Sequence, residues 1–335
     1  EQMINIAYGK KLKITQKDVH LKGSALEARI YAENPYKNFL PSIGRLTKYN
    51  PPKETKHSDG SITRNDTGVR EGDEVSMFYD PMIAKLCTWG ETRDISTKRM
   101  ESALDNFLVE GIDNNIPFLS AILQNKRFKS GDLSTSFIQD EYEQGFQGII
   151  PNEKEEWTLA SLILAYHITE ISKDFEFSEG FSKEWQIHIK YRSSLSSIAK
   201  LNFKIKKLSG DKVQLYLKPI PNKKIPGIIN EYLPINIEKD FITKLITSSI
   251  KLFGDSNEEV SFPNKIQCRV KHENPNLELF YRGISMSAIV LPRHIAEHYK
   301  HMKPIKIVDK SNLLLCPMPG KLIKILVREN DIVEE

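Results

Sequence analysis

The sequence is poor in cysteine, with only Cys87, Cys268 and Cys316 among its 335 residues. The three are odd in number, far apart and never in a Cys-X-X-Cys pair, which excludes a disulfide framework and a cysteine zinc site. The sequence also has no apolar run near the ~18 residues that a transmembrane helix needs. These absences favour a reducing compartment and no membrane partner.

A large excess of one charge is missing as well. The 48 basic and 44 acidic residues leave a net charge of +4. With no stripe of lysine and arginine interleaved with aromatics, this balance does not suggest a nucleic-acid partner. At roughly 100–200 residues per domain, two or three domains are expected. The chain starts at a glutamate with nothing like a targeting peptide, so we expect a cut inside a longer chain.

The first 140 residues combine strand and helix patterns. Residues 24–32 alternate, with Leu26, Ala28 and Ile30 on one face and Glu27 and Arg29 on the other. A helix that Thr92 or Asp94 can cap follows, and a second helix starts at Pro117. Strands first and helices last predict an α+β unit.

The second half is organised differently. Residues 157–171 leave almost no polar face, and a helix of this kind must be covered on all sides. Residues 185–291 read as short strands separated by turn residues, which predicts an antiparallel sheet or barrel curled around that helix. The predicted strands are Ile187–Ile189, Leu201–Ile205, Val213–Leu217, Ile246–Phe253, Ile266–Val270 and Leu277–Phe280. After a linker at 302–312, a Pro-Met-Pro-Gly turn at 317–320 precedes a predicted strand, Leu322–Val327.

Five collinear runs resemble the C-terminal lobe of biotin carboxylase, an ATP-grasp enzyme. They are the helix end at 1–9, GSALEARIYAENPYKNFLPSIGRL at 23–46, YDPMIAKL at 79–86, TRDISTKRMESALDNFLVEGIDNN at 92–115 and GDLSTSFI at 131–138. Residues 315–327, LCPMPGKLIKILV, resemble the first strands of a biotinyl carrier domain. The resemblance implies three parts: the biotin carboxylase lobe at 1–143, a mediating β-barrel domain at 150–305 and a truncated carrier domain at 313–335.

Membership of the biotin-dependent carboxylases implies a reaction in two halves. Biotin is carboxylated with ATP, Mg²⁺ or Mn²⁺ and bicarbonate, and the carboxyl group then passes to an acyl-CoA on a carboxyltransferase β subunit. AENPYKNFLPSIGRL and GFQGI at 145–149 favour the propionyl-CoA branch. The 3-methylcrotonyl-CoA and acetyl-CoA branches, another ATP-grasp ligase and a non-catalytic assembly module are the alternatives.

The resemblance also implies partners and missing parts. The mediating domain would dock on the β subunit, and the biotin carboxylase part would self-associate. The glycine loop, metal-binding carboxylates and catalytic glutamate of the family lie upstream of Glu1, and its biotinylated Met-Lys-Met lies downstream of Glu335. Lys321 does not match that lysine, so we expect the fragment alone to be inactive and without biotin. The compartment would be the cytoplasm in a bacterium or the mitochondrial matrix in a eukaryote.

Arg29 is the main candidate site residue, because it matches the family arginine of the Glu-X-Arg strand that holds bicarbonate and the biotin ureido oxygen. A planar, permanently charged guanidinium suits both anions. Glu27 on the same face is interpreted as an ion-pair partner. Asp80 is either a carboxylate near the biotin site or dimer contact or, as we favour, a turn residue bonding its own backbone.

Two further groups are weaker candidates. Arg64 and Asp66 are predicted to lie in a loop that could reach the family's dimer surface or be plain surface. His294, His298 and His301 would line one helix face, but without an HExxH arrangement they are interpreted as solvated rather than metal-binding.

Overall fold

The computed structural model of the chain describes residues 1–76, 78–171, 182–192, 199–208, 214–222, 225–226, 228–239, 245–249, 266–273, 275–299, 301–302, 323–328 and 331. The predicted linker beyond residue 302, Cys316, the Pro-Met-Pro-Gly turn, Lys321 and Leu322 lie outside these residues. So do residues 250–253 of one predicted strand. Among the described helices, none combines the length and apolar character needed to cross a bilayer.

The N-terminal part, which we call the lobe, mixes short strands with helices as predicted. Its helices are α1 (Gln2–Ala7), α2 (Arg93–Asp105), α3 (Ile116–Gln124), α4 (Lys126–Ser130) and α5 (Phe137–Glu141), with 3₁₀ turns at Gln16–Asp18 and Pro35–Lys37. Its strands are β1 (Ser24–Tyr31), β2 (Glu33–Asn34), β3 (Leu40–Pro41), β4 (Gly44–Arg45), β5 (Lys48–Asn50), β6 (Thr55–Lys56), β7 (Ile62–Thr67), β8 (Glu74–Val75), β9 (Met82–Gly90) and β10 (Leu108–Glu110).

The main sheet of the lobe has the strand order β1-β9-β7-β6, and its neighbours are antiparallel. Ile30 of β1 and Leu86 of β9 are fully buried and pack against Leu104 of α2 in one core. Thr92 caps α2, because its hydroxyl accepts a hydrogen bond from the Ile95 amide at 3.3 Å. One face of the sheet is therefore buried by helix α2, and the other carries the polar residues of the alternating pattern.

The second part is a closed barrel in which eight strands follow one another in chain order. Its strands are β11 (Ser182–Tyr191), β12 (Ala199–Leu208), β13 (Gln214–Ile220), β14 (Leu233–Lys239), β15 (Leu245–Ser249), β16 (Ile266–Glu273), β17 (Asn276–Tyr281) and β18 (Ile284–Pro292), and the short helix α7 (Arg293–Tyr299) follows. All neighbouring pairs are antiparallel, and β18 pairs back onto β11. Strands β14 and β18 do not figure among the predicted ones.

Helix α6 (Glu153–Ile171) packs against strands of this barrel, and its side chains share one buried cluster with theirs. Its apolar side chains from Trp157 to Ile168 are almost completely buried, as the pattern predicts. The helix also buries Ser161, whose hydroxyl donates to the Trp157 carbonyl at 2.7 Å. This bond to the preceding turn satisfies a hydroxyl that burial would otherwise leave without a partner.

The strand predicted at Leu322–Val327 is wrong for the residues that the structure describes there. Residues 323–328 have no regular secondary structure. Ile323 is 93% exposed and Leu326 81% exposed, so this segment buries little of its apolar surface. A strand needs hydrogen-bonding neighbours to be stable, and no described strand lies beside this segment.

Candidate functional site

The polar face of the main lobe sheet gathers the charged residues of three adjacent strands. Antiparallel register places Arg29 of β1 opposite Lys85 of β9, and Lys85 opposite Asp66 of β7. The row two residues along contains Glu27, Cys87 and Arg64, in the same strand order. These six residues, which we call the arginine face, carry three basic and two acidic side chains.

Each arginine of this face is held by an acid two residues away on its own strand. Arg29 Nε lies 2.8 Å from Glu27 Oε1, and Arg64 Nη2 lies 2.8 Å from Asp66 Oδ2. The hydrogen bond from Arg29 lowers the pKa of Glu27 below its usual value. Both guanidinium groups stay more than half exposed, at 57% and 61%. Each carboxylate thus orients its arginine, and both arginine side chains stay accessible to an anion from solvent.

The ion pair gives Glu27 the role that the sequence predicted for it. It also shows that Arg29 has a structural partner, so its position alone does not make it a ligand. Arg64 lies two strands away from β1, in register with Glu27 rather than with Arg29. The strand spacing gives a lateral separation of about 10 Å between β1 and β7. The loop predicted for Arg64 and Asp66 is wrong, because both residues lie in β7, which pairs with β9. The sheet thereby brings Arg64 to the same surface as Arg29.

Asn115, which sequence reasoning missed, fixes the outer edge of β1 beneath Arg29. Its Oδ1 accepts from the Tyr31 amide at 2.9 Å, and its Nδ2 donates to the Arg29 carbonyl at 3.0 Å. The Asn115 amide donates to the Tyr31 carbonyl at 3.2 Å. Only 6% of Asn115 is exposed. The outer edge of β1, which faces away from β9, is thereby hydrogen-bonded where the strand carries the arginine.

Asp80 lies in the turn before β9, beyond the arginine face. Its Oδ1 accepts a hydrogen bond from the Met82 amide at 2.8 Å, which is the geometry of the turn alternative. Phe78 and Tyr79 beside it are 83% and 82% exposed. The described structure therefore assigns Asp80 a local backbone contact.

The histidine group is not gathered into a site. Helix α7 ends at Tyr299, so His301 lies beyond it, and His294 and His298 are exposed. In the part of the chain that the structure describes, no three His, Cys, Asp or Glu side chains are placed to hold a metal ion.

The Cys87 thiol at the centre of the arginine face provides a probe of its electrostatics. Burial is the main influence and raises the pKa of Cys87, Arg64 opposes this effect, and Glu27 adds to it. We expect alkylation of Cys87 to reach half its maximal rate above the pH typical of a free thiol, and Arg64→Ala to move that midpoint higher still. Iodoacetamide labelling against pH, with Cys268 and Cys316 replaced by serine, measures this. A midpoint that falls on removing Arg64 would contradict the described arrangement.

A comparison with protein families matches residues 27–140 to the biotin carboxylase C-terminal domain. The match contains both arginines, Asn115 and Asp80, so the whole arginine face lies within the residues that are similar to the biotin carboxylase C-terminal domain. The family resemblance of the sequence runs is confirmed.

Similarity to known proteins extends beyond this domain. The propionyl-CoA carboxylase alpha chain of Caenorhabditis briggsae is 34% identical across 100% of this chain, which covers 44% of that protein. The corresponding Ruegeria pomeroyi protein is also 34% identical across 100% of the chain, covering 48% of its length. The chain thus spans less than half the length of these relatives. One pyruvate carboxylase subunit, from Methanothermobacter thermautotrophicus, is 41% identical, but over 43% of this chain and 28% of its own.

Among solved structures, the chain is similar to the biotin carboxylase domain dimer of Hydrogenobacter thermophilus 2-oxoglutarate carboxylase, in complex with MgADP, ADP and bicarbonate. The identity is 33%, the match covers 41% of this chain and 29% of that one, and the TM-score is 0.39.

Proposed function

We propose that the chain is part of the alpha subunit of a propionyl-CoA carboxylase, a biotin-dependent ligase. The extent of similarity carries this proposal. Relatives named propionyl-CoA carboxylase match the biotin carboxylase domain and the barrel alike, whereas the pyruvate carboxylase relative matches over 43% of the chain. Since the propionyl-CoA carboxylase relatives match the whole chain, barrel included, the extent of similarity favours the propionyl-CoA branch.

The arginine face is the proposed site for bicarbonate and the biotin ring. Biotin, when bound, supplies the ureido nitrogen that takes up the carboxyl group. The guanidinium groups of Arg29 and Arg64 would donate hydrogen bonds to the bicarbonate and to the ureido oxygen, and would stabilise negative charge at that oxygen. Glu27 and Asp66 orient the two guanidinium groups, and Asn115 holds the backbone of Arg29. The exposed, donor-rich and net positive surface fits these anions.

The other cofactors and Asp80 have lesser roles in this part of the protein. We assign ATP and Mg²⁺ or Mn²⁺ to another region of the complete protein, as the order of parts in the family implies. Biotin attachment is also assigned elsewhere. Asp80 shapes the turn that leads into β9, and a direct contact with biotin remains the secondary role for it.

The three proposed parts and their partners follow the family order. Residues 1–143 form the biotin carboxylase lobe and its self-association surface, 150–305 the mediating domain that docks on the carboxyltransferase β subunit, and 313–335 the start of the carrier domain. The closed barrel, whose strands share one buried cluster with helix α6, supports the second assignment. The proposed compartment is the cytoplasm of a bacterium or the mitochondrial matrix of a eukaryote.

The test of this function uses the complete protein co-expressed with its β subunit. ATP-dependent fixation of labelled bicarbonate is followed with propionyl-, 3-methylcrotonyl- and acetyl-CoA as competing acceptors. We expect a clear preference for propionyl-CoA. A preference for another acyl-CoA would reassign the branch, and no fixation by an intact biotinylated complex would favour the assembly module.

A further inference from the structure

The barrel contacts the lobe through the turn that joins β17 and β18. Tyr281 pairs with Ile284, so the turn itself contains only Arg282 and Gly283. Both residues have positive φ angles, 45° and 79°, as the favoured two-residue hairpin turn requires. Glycine adopts this backbone freely, whereas for arginine it costs free energy. The surroundings must therefore stabilise Arg282 in this conformation.

Two lobe side chains supply that stabilisation by bonding the backbone of Arg282. Its amide donates to Asp105 Oδ1 at 3.2 Å, and its carbonyl accepts from Gln124 Nε2 at 2.5 Å. Asp105 is the last residue of α2 and Gln124 the last of α3. A free hairpin turn would give both backbone groups to water. Here the ends of two lobe helices bind them, which is the geometry of a docked turn.

Glycine is also required at this junction by the closeness of the two surfaces. A Cβ atom on Gly283 would lie 2.7 Å from the Pro117 carbonyl oxygen and 3.1 Å from Ser120 Cβ, both in α3. A Cβ on Gly148, in the segment between lobe and barrel, would lie 2.7 Å from the Arg192 carbonyl oxygen. Gly283 and Gly148, both with positive φ angles, thus lie where a side chain would clash with a backbone carbonyl of the facing segment.

A second contact lies on the other side of a cleft of about 400 Å³ between the two parts. Arg192, directly after β11, donates from Nη2 to Asp113 Oδ1 at 3.2 Å. Its guanidinium carbon lies 4.7 Å from the centre of the Tyr36 ring. Ile149 packs against the buried clusters of both parts. Because there are two separate contacts, the barrel cannot rotate about one of them relative to the lobe without breaking the other.

We infer that the Arg282–Gly283 turn, together with Arg192, is a latch that holds lobe and barrel as one rigid body. Neither the turn nor Arg192 belongs to the arginine face, so the inference stands apart from the proposed activity. Its consequence is mechanical. A partner bound to the barrel is kept at a fixed distance and angle from the arginine face of the lobe.

Distances between spin labels in the full-length chain test the latch. One nitroxide replaces the exposed Lys98 of α2 and the other the exposed Lys200 of β12, with the native cysteines changed to serine. We expect one narrow distance peak for the unmodified latch. The double variant Asp105→Ala/Gln124→Ala and the single variant Gly283→Ala should lose this peak and give a broad distribution.

Gly60→Ala is the matched control for Gly283→Ala. Gly60 has a φ of 80°, and nothing lies within 4 Å of a Cβ built on it. Gly60→Ala introduces the same backbone strain without a clash, so this variant should keep the narrow distance peak. A narrow peak in the latch variants, or a broad one in the unmodified chain, would overturn the inference.

If the variants do not fold, hydrogen exchange of the unmodified chain tests whether the Arg282–Gly283 turn is docked on the lobe. The Arg282 amide should be protected to the same degree as amides inside β17 and β18. Exchange at the rate of an unbonded turn amide would show that the turn undocks readily, and the latch would be rejected.

Discussion

Replacing Arg64 or Arg29 by alanine is expected to lower kcat for ATP-dependent biotin carboxylation by ~10²–10³-fold, the loss usual when one donor to a developing oxyanion is removed. Both guanidinium groups are exposed on the arginine face, and each is oriented by its own carboxylate. Lysine at either position should restore only part of the rate, because an ammonium cannot bind a carboxylate-like anion in bidentate fashion. Steady-state kinetics of the complete enzyme, with bicarbonate varied, measures kcat and KM separately.

Control variants distinguish an arginine that binds the anion from one that only forms a structural ion pair. Arg70→Ala removes an exposed arginine that is not one of the six residues of the arginine face and should leave kcat unchanged. Glu27→Gln leaves Arg29 in place without its partner and should cost less than Arg29→Ala. If Arg64→Ala abolishes turnover and Arg29→Ala does not, Arg64 binds the anion and Arg29 serves only its pair with Glu27. Normal kinetics in both alanine variants would remove the arginine face from the proposed mechanism.

Sequence patterns predicted those features that depend only on residues close together in the chain. The cap of α2 was predictable because Thr92 bonds an amide three residues later, within the same helix turn. The burial of α6 was predictable because a helix with no polar face has no stable exposed orientation. The pairing of Glu27 with Arg29 follows from the two-residue period of a strand.

Contacts between distant parts of the chain could not be predicted in this way. Asn115 reaches Arg29 across 86 residues, and nothing in the residues beside Asn115 indicates that contact. Arg64 joins the arginine face only because β7 and β1 both pair with β9. Strand β14 contains Pro234, which weakens the sequence pattern that would predict a strand.

Strand β18 did carry a strand pattern that the prediction missed, since Ile284, Met286 and Ala288 alternate with serines and are buried.

Phe203→Ala is expected to destabilise the barrel by about 3–5 kcal/mol, the usual cost of removing a buried phenylalanine ring. Phe203 of β12 is fully buried, and its ring packs edge-on against Trp157 of α6 at 5.1 Å between centroids. The substitution removes a contact between helix and strand in the largest buried cluster described. Its cost should therefore exceed that of Ile295→Ala, which truncates a side chain on α7 that is 45% exposed.

Urea unfolding followed by tryptophan fluorescence measures this loss in a Trp89→Phe background, so that the signal comes from Trp157 and Trp185 of the second part. A double-mutant cycle with Trp157→Leu, which leaves no aromatic ring at that position, isolates the ring pair, for which a coupling of about 0.5–1.5 kcal/mol is expected. A total loss below about 1 kcal/mol would mean that the space left by the ring collapses without cost, contrary to close packing between α6 and β12. A full loss with no coupling would instead locate the stabilisation in the burial of Phe203 itself, since its edge-on contact with Trp157 would then contribute nothing beyond the area it covers.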